Sequence, residues 1–223
     1  MLQMAQASVR GGASQITIHL REDRRHIQEK DVELLCRERP ALINLEMACT
    51  DKMQAIALKY HPDWVCFVPE KRQELTTEGG LDVAGRLFKL KKMSLELQRR
   101  GIEISMFIDP DRRQVKASFQ AGAEAVEFHT GSWVHAIHEG RKSEAAKIWK
   151  RLVESARYAH ELGLRVHAGH GLDFETTMKI IHLPYLQELN IGHSLVCAAL
   201  EMGLESSVRK MFKLMGRSGR KSK

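Results

Sequence analysis

The sequence predicts an α/β fold, a (β/α)8 barrel of the TIM type with extra helices, and three observations predict it. Seven short apolar runs alternate with helical patterns along the 223 residues. Each run ends at its C-terminal side in a group able to move a proton or hold an anion. No G-x-G-x-x-G follows an early run, so the usual signature of an open dinucleotide-binding sheet is absent. A barrel gathers all its strand ends at one mouth, and polar tips on every run favour that closure over a doubly wound sheet.

The runs come in order. ITIHLR (16–21) closes on His19 and Arg21, INLE (43–46) on Glu46, and WVCFVPE (64–70) on Glu70. ISMFID (104–109) closes on Asp109, and AVEFH (125–129) on Glu127 and His129. LRVHAGH (164–170) closes on His167 and His170, and LQELNIGH (186–193) on Asn190 and His193. Between them lie helical patterns at 28–39, at 50–60 with Thr50 placed to cap, at 82–100, and at 110–122 between Pro110 and Gly122. The longest helix is expected over 143–162, with Ala145, Trp149, Leu152, Ala156 and Ala159 on its packing face and Gly163 as its stop. Residues 195–215 read as one or two helices broken near Gly203. The stretch 5–14 reads as the end of a helix. A closed barrel needs eight strands, so the expected architecture lacks its first strand in this chain. Residues 1–215 are expected to form this one domain, and 216–223 a basic disordered tail.

Composition is that of a soluble globular protein, with 43% hydrophobic and 28% charged residues. No apolar run approaches a membrane span and no secretory signal is recognisable, which points to the cytoplasm. The formal charge of +7 is concentrated at one end. Residues 209–223 hold seven basic side chains and no acid, and the rest of the chain balances at 28 against 28. That is a solvated tail rather than a nucleic-acid surface. Cys36, Cys49, Cys66 and Cys197 form no C-x-x-C pair, so reduced thiols are expected, with Cys66 and Cys197 buried as small apolar residues.

Residues two apart on a strand share a face. His19 and Arg21 are therefore expected to point the same way, as are Glu127 and His129. His167 and His170 would fall on opposite faces, unless Gly169 and Gly171 bend the chain and place His170 at the rim. His135 and His138 fall in a loop-like stretch without an acid partner, and no zinc-like ligand set is present. Glu46 ends an apolar run, so burial should raise its pKa and make it a base near neutrality. A structural ion pair with an arginine is the competing reading. Two places suit phosphate. One is REDRRH (21–26), which also reads as a self-paired charged loop. The other is Asn190-Ile-Gly-His-Ser194, a strand end running into a helix start, which also reads as a plain turn. The long polar loop 71–80, with Thr76 and Thr77, is either a substrate lid or an ordinary surface loop.

HLREDRRHI (19–27), NLEMA (44–48), VPEKRQELTTEGGLDVAG (68–85), EFHTG (127–131), AGHGL (168–172) and ELNIGH (188–193) together resemble the pyridoxine 5′-phosphate synthase family. The resemblance runs from about residue 5 to about residue 215. It implies a (β/α)8 barrel, a homo-octamer, no metal and no organic cofactor. The implied reaction condenses 3-amino-2-oxopropyl phosphate with 1-deoxy-D-xylulose 5-phosphate. By motif, His19 and Glu46 would accept protons, His170 would donate one, and Glu127 would stabilise a transition state. Arg21, His26 and Thr76 would hold the deoxyxylulose phosphate, and Gly171, Gly192 and His193 the aminoketone phosphate. The chain departs from the family in two places. Met1 falls inside the helix that should follow the family's first strand, and Cys197-Ala198 stand where the family carries Gly-Arg. Other readings are a different barrel enzyme acting on a phosphorylated sugar or ketone, and a non-catalytic remnant acting only in assembly.

Overall fold

The computed structural model describes residues 1–69 and 79–216. Its elements alternate as α1 (Leu2–Gly11), β1 (Gln15–His19), α2 (Glu29–Glu38), β2 (Leu42–Ala48), α3 (Asp51–Tyr60) and β3 (Trp64–Val68). A 3-10 turn (Ala84–Arg86) then leads into α4 (Leu87–Gln98), β4 (Glu103–Ile108), α5 (Arg112–Gln120), β5 (Ala125–His129), α6 (Gly131–His138) and α7 (Lys142–Glu161). The chain ends in β6 (Arg165–Gly169), α8 (Phe174–Ile180), β7 (Leu186–Asn190), α9 (His193–Met202) and α10 (Leu204–Gly216).

All seven expected strands form. They pair in parallel in sequence order, β1 to β7, as one sheet. The sheet curls until the side chains of its two edge strands meet. Gln15 Nε2 donates to Glu188 Oε1 at 2.8 Å, and Thr17 Oγ1 donates to Asn190 Oδ1 at 2.8 Å. Among the described residues no backbone ladder joins β1 to β7.

The strands alternate, and this explains the sequence pattern. Ile43, Leu45, Met47, Val65, Phe67, Ile104, Met106, Val126, Phe128 and Val166 are buried in the core cluster beneath the helices. The intervening residues turn inward and are largely polar: Thr17, His19, Asn44, Glu46, Glu127, His167, Glu188 and Asn190 contact one another across the interior. A parallel strand covered on both sides normally reads as a continuous apolar run. Here the period of two survives because the inner side is largely polar.

The helices start where their caps place them. The Thr50 hydroxyl accepts from Met53 N–H at 3.4 Å, and the Asp111 and Asp173 carboxylates accept from Arg113 N–H and Thr176 N–H at 2.6 and 2.7 Å. Leu152, Ala156 and Ala159 bury the expected face of α7, and Trp149 packs on Trp133 of α6.

Several expectations are corrected. His135 and His138 lie on a helix, α6, and each has an acid partner: Glu139 at 3.1 Å and Asp173 at 2.9 Å. Eight residues between two turns carried too short a period to be recognised. Among the described residues no three metal-type ligands cluster. Cys66 is buried as expected, but Cys197 is exposed because α9 buries none of its residues. The helix expected from residue 82 begins as α4 only at Leu87, because Asp82 Oδ1 takes the Gly85 N–H and holds a 3-10 turn there. The tail residues 217–223, Glu70, Thr76, Thr77 and most of the 71–80 loop lie outside the described residues. No helix among the described residues is long and apolar enough to cross a membrane.

Candidate active site

Strand register sets the first pair. His19 at the end of β1 stands opposite Glu46 on β2, and His19 Nδ1 lies 3.7 Å from Glu46 Oε2. The strand runs two residues past Glu46, so this carboxyl sits inside the mouth rather than at its lip. Burial raises its pKa to about 7, although 22% of the side-chain surface is still reached by solvent. His19 moves the other way, to about 4, through burial first and then the Arg21 charge, against the pull of Asp23. The pair is therefore no salt bridge at neutral pH: the imidazole is uncharged and the carboxyl is near its midpoint. His19 Nε2 is buried and has no hydrogen-bond partner among the described residues. No arginine pairs with Glu46 among the ion pairs of the described residues; His19 and the Glu127 carboxyl are its titratable neighbours.

Glu127 reaches the same interior from β5. It is 2% exposed and accepts from Asn190 Nδ2 at 2.7 Å. Burial pushes its carboxyl well above the ordinary range, the Glu46 charge adds to this, the Asn190 bond opposes it, and Glu188 contributes further. Its other oxygen occupies space that only a glycine leaves open: a Cβ on Gly169 would lie 2.1 Å from Glu127 Oε1.

The rim beyond Glu127 is built by the loops after β4, β5 and β6. His129 Nδ1 lies 3.4 Å from Asp109 Oδ1, and this neighbour, with the Gly80 N–H, holds the Asp109 carboxyl below its usual range. The His129 and His170 rings are 5.0 Å apart, and Phe107 packs against both. The strand stops at Gly169, so His170 leaves it at the rim, as the flanking glycines suggested. His170 adopts φ 73° and Gly171 φ 80°. A non-glycine residue there costs conformational energy, and Thr130 holds it in place: its hydroxyl lies 2.7 Å from both the Gly169 and His170 carbonyls.

Gly192 caps α9 and His193 begins it, both exposed. Ser194 Oγ donates to the Leu172 carbonyl at 2.7 Å, which ties this helix start to the loop carrying Gly171. The loop carrying Gly171 and the Gly192–His193 helix start, which the resemblance assigns to one phosphate, are thus neighbours. The other phosphate candidate is more self-paired. Arg24 bonds Glu29 at 2.9 Å and two loop carbonyls, and Arg25 bonds Asp23. Arg21 lies 3.8 Å from Asp23, and His26 is exposed. β1 ends at His19, so the strand-face argument does not extend to Arg21. Thr76 lies outside the described residues.

Two interior residues, Thr17 and Asn44, were missed; Asn190, read as a strand tip beside a phosphate, proves to bond Glu127. The signal was present as a polar residue at an inward step of an apolar run, in ITIH and INLE.

A family model described as Pyridoxal phosphate biosynthesis protein PdxJ matches residues 1–217. The chain belongs to the PdxJ family. A pyridoxine 5′-phosphate synthase from Bdellovibrio bacteriovorus is 60% identical to it over 215 residues, covering 96% of this chain and 88% of that protein. One from Trichodesmium erythraeum is 50% identical over 200 residues, covering 90% and 82%. The fold of this PdxJ-family chain is also similar to that of 3-hexulose-6-phosphate synthase from Salmonella typhimurium, with TM-score 0.66 at 13% identity and coverage of 97% and 92%. At that identity the likeness speaks for the fold alone, a TIM-barrel-like curl of parallel strands.

Proposed function

We propose that this chain is a pyridoxine 5′-phosphate synthase of vitamin B6 biosynthesis. It condenses 3-amino-2-oxopropyl phosphate with 1-deoxy-D-xylulose 5-phosphate and releases inorganic phosphate and water. The observation that carries the reading is the His19–Glu46 pair, an uncharged imidazole beside a carboxyl poised at about 7. Imine formation, loss of phosphate and dehydration move protons at several substrate atoms, and a base works best with a pKa near the working pH.

In this reading His19 and Glu46 accept protons, His170 donates one from the rim, and Glu127 stabilises a transition state from below. Arg21, His26 and Thr76 hold the deoxyxylulose phosphate. Gly171, Gly192 and His193 hold the aminoketone phosphate, supported by the Ser194–Leu172 tie. An Arg21 that binds phosphate gives up its long contact with Asp23. No metal or organic cofactor enters the scheme, and the partners are these two small phosphorylated molecules, not nucleic acid or membrane. The remaining features of this reading are one barrel domain over 1–215 with a basic tail, a homo-octamer, and a cytoplasmic location. The (β/α)8 barrel class, with the first strand lacking in this chain, also belongs to it; β1 and β7 are the edges of the described ladder.

The test is turnover of the two named substrates by the purified chain, followed by phosphate release and by absorbance of the pyridoxine ring. Product formation that Glu46→Gln abolishes is the expected result. A folded chain that forms no ring product from this pair overturns the proposal.

A further inference from the structure

A run of hydrogen-bonded neutral side chains crosses the barrel and ends on Glu127. Asn44 Nδ2 lies 3.3 Å from Thr17 Oγ1, Thr17 Oγ1 lies 2.8 Å from Asn190 Oδ1, and Asn190 Nδ2 lies 2.7 Å from Glu127 Oε2. The four residues come from β2, β1, β7 and β5, so the run also spans the seam between the edge strands. With Asn44 donating to it, the Thr17 hydroxyl has Asn190 Oδ1 as its acceptor. That fixes which end of the Asn190 amide faces Glu127.

We propose that Asn190 is a positioning residue for Glu127, and that Thr17, which does not touch Glu127, sets the amide so that its N–H faces the carboxylate. Without Thr17 the amide is free to turn and present its oxygen, which serves the protonated acid instead. The chain thus keeps the charged form of a deeply buried carboxyl within reach, and holds its oxygen against Gly169, where a Cβ would lie 2.1 Å away. The direction agrees with the opposing effect of the Asn190 bond on the burial-raised Glu127 carboxyl. The other titratable groups acting on Glu127 are Glu46 from β2 and Glu188 from β7, with the Cys66 thiol of β3 lying 4.0 Å from it. Asn190 also favours the charged form of Glu188, so the Glu127 band is assigned before its midpoint is read. The inference rests on the proposed role of Glu127 in turnover.

The experiment compares Thr17→Val, a near-isostere without a hydroxyl, with Thr17→Ser. The Glu127 carboxyl is titrated in the ligand-free protein by infrared difference spectroscopy, its band assigned with Glu127→Gln. Thr17→Val should raise the Glu127 midpoint by about one unit and lower kcat about tenfold with KM within about twofold, the size expected for one hydrogen bond to a charged group. Thr17→Ser should restore both. A folded Thr17→Val protein with wild-type midpoint and kcat overturns the inference. Should Thr17→Val fail to fold, Asn190→Ala is titrated in the same way, and an unmoved midpoint again overturns it. The midpoint is read without substrate: a chain inert toward the two named substrates sinks the proposed function and leaves the midpoint result standing.

Discussion

His19 and Glu46 occupy the same register step of neighbouring strands, 3.7 Å apart, and their proton affinities move in opposite directions. Burial drives both shifts, because it penalises the charged form of each. One consequence is chemical, a neutral acceptor beside a half-ionised one. The other is a dependence of stability on pH.

Glu46→Gln should abolish turnover and leave the fold intact. The sign of its effect on stability follows from linkage. A carboxyl raised from 4.5 to about 7 contributes stability that is full below 4.5 and lost as pH rises through 7. Glutamine removes that loss. The variant should be more stable relative to wild type at pH 8 than at pH 5, by at most about 3 kcal/mol. Denaturant titrations at the two pH values check it, and a variant equally unstable at both argues for a structural pair instead.

His167 predicts the opposite slope. It is buried beside Trp64 and Glu188, and burial with the nearby Arg165 charge lowers its pKa from 6.5 to about 4. The unfolded chain takes up a proton below 6.5 while the folded chain does not, so stability falls as pH drops from 6.5 toward 4. His167→Gln should shrink the difference in unfolding free energy between pH 7 and pH 5 by about 2 kcal/mol. An unchanged difference shows that this imidazole is not held neutral.

Gly169→Ala should be more damaging than a methyl group suggests. Its Cβ would lie 2.1 Å from Glu127 Oε1 and 3.0 Å from the Asn190 carbonyl. The carboxylate must leave its place, so kcat should fall about a hundredfold or more, with about 1–3 kcal/mol of destabilisation from overpacking. Steady-state kinetics with a parallel thermal melt separates the two effects.

His170 sits at φ 73°. Asparagine tolerates that region and β-branched residues do not. His170→Asn should keep stability within about 1 kcal/mol of wild type and lose turnover, whereas His170→Val should lose turnover and about 1–2 kcal/mol of stability. Equal melting temperatures for the two variants would show that the backbone there is unstrained.

Much of this was legible in order along the chain. The seven strands were readable because each apolar run is short, bounded and tipped, and the start of α3 because Thr50 caps it. The place of His170 followed from the two glycines around it. What stayed hidden depends on contacts distant in sequence. Thr17 and Asn190 are 173 residues apart and meet only because the sheet curls. The arginines of the 21–26 loop look alike in sequence, yet Arg24 is committed to Glu29 and to loop carbonyls. Cys197 reads as a buried apolar residue of α9 until that helix proves to bury nothing.

The shifted interior has a consequence for what enters it. His19 and His167 are held uncharged near pH 7, and burial raises the Glu46, Glu127 and Glu188 carboxyls above their ordinary range. Burial thus lessens the negative charge of this floor, and with it the repulsion that an anionic ligand meets there. The arriving charge then raises the affinity of the same carboxyls for protons. Ligand capture and proton uptake from solvent are in this way one coupled event.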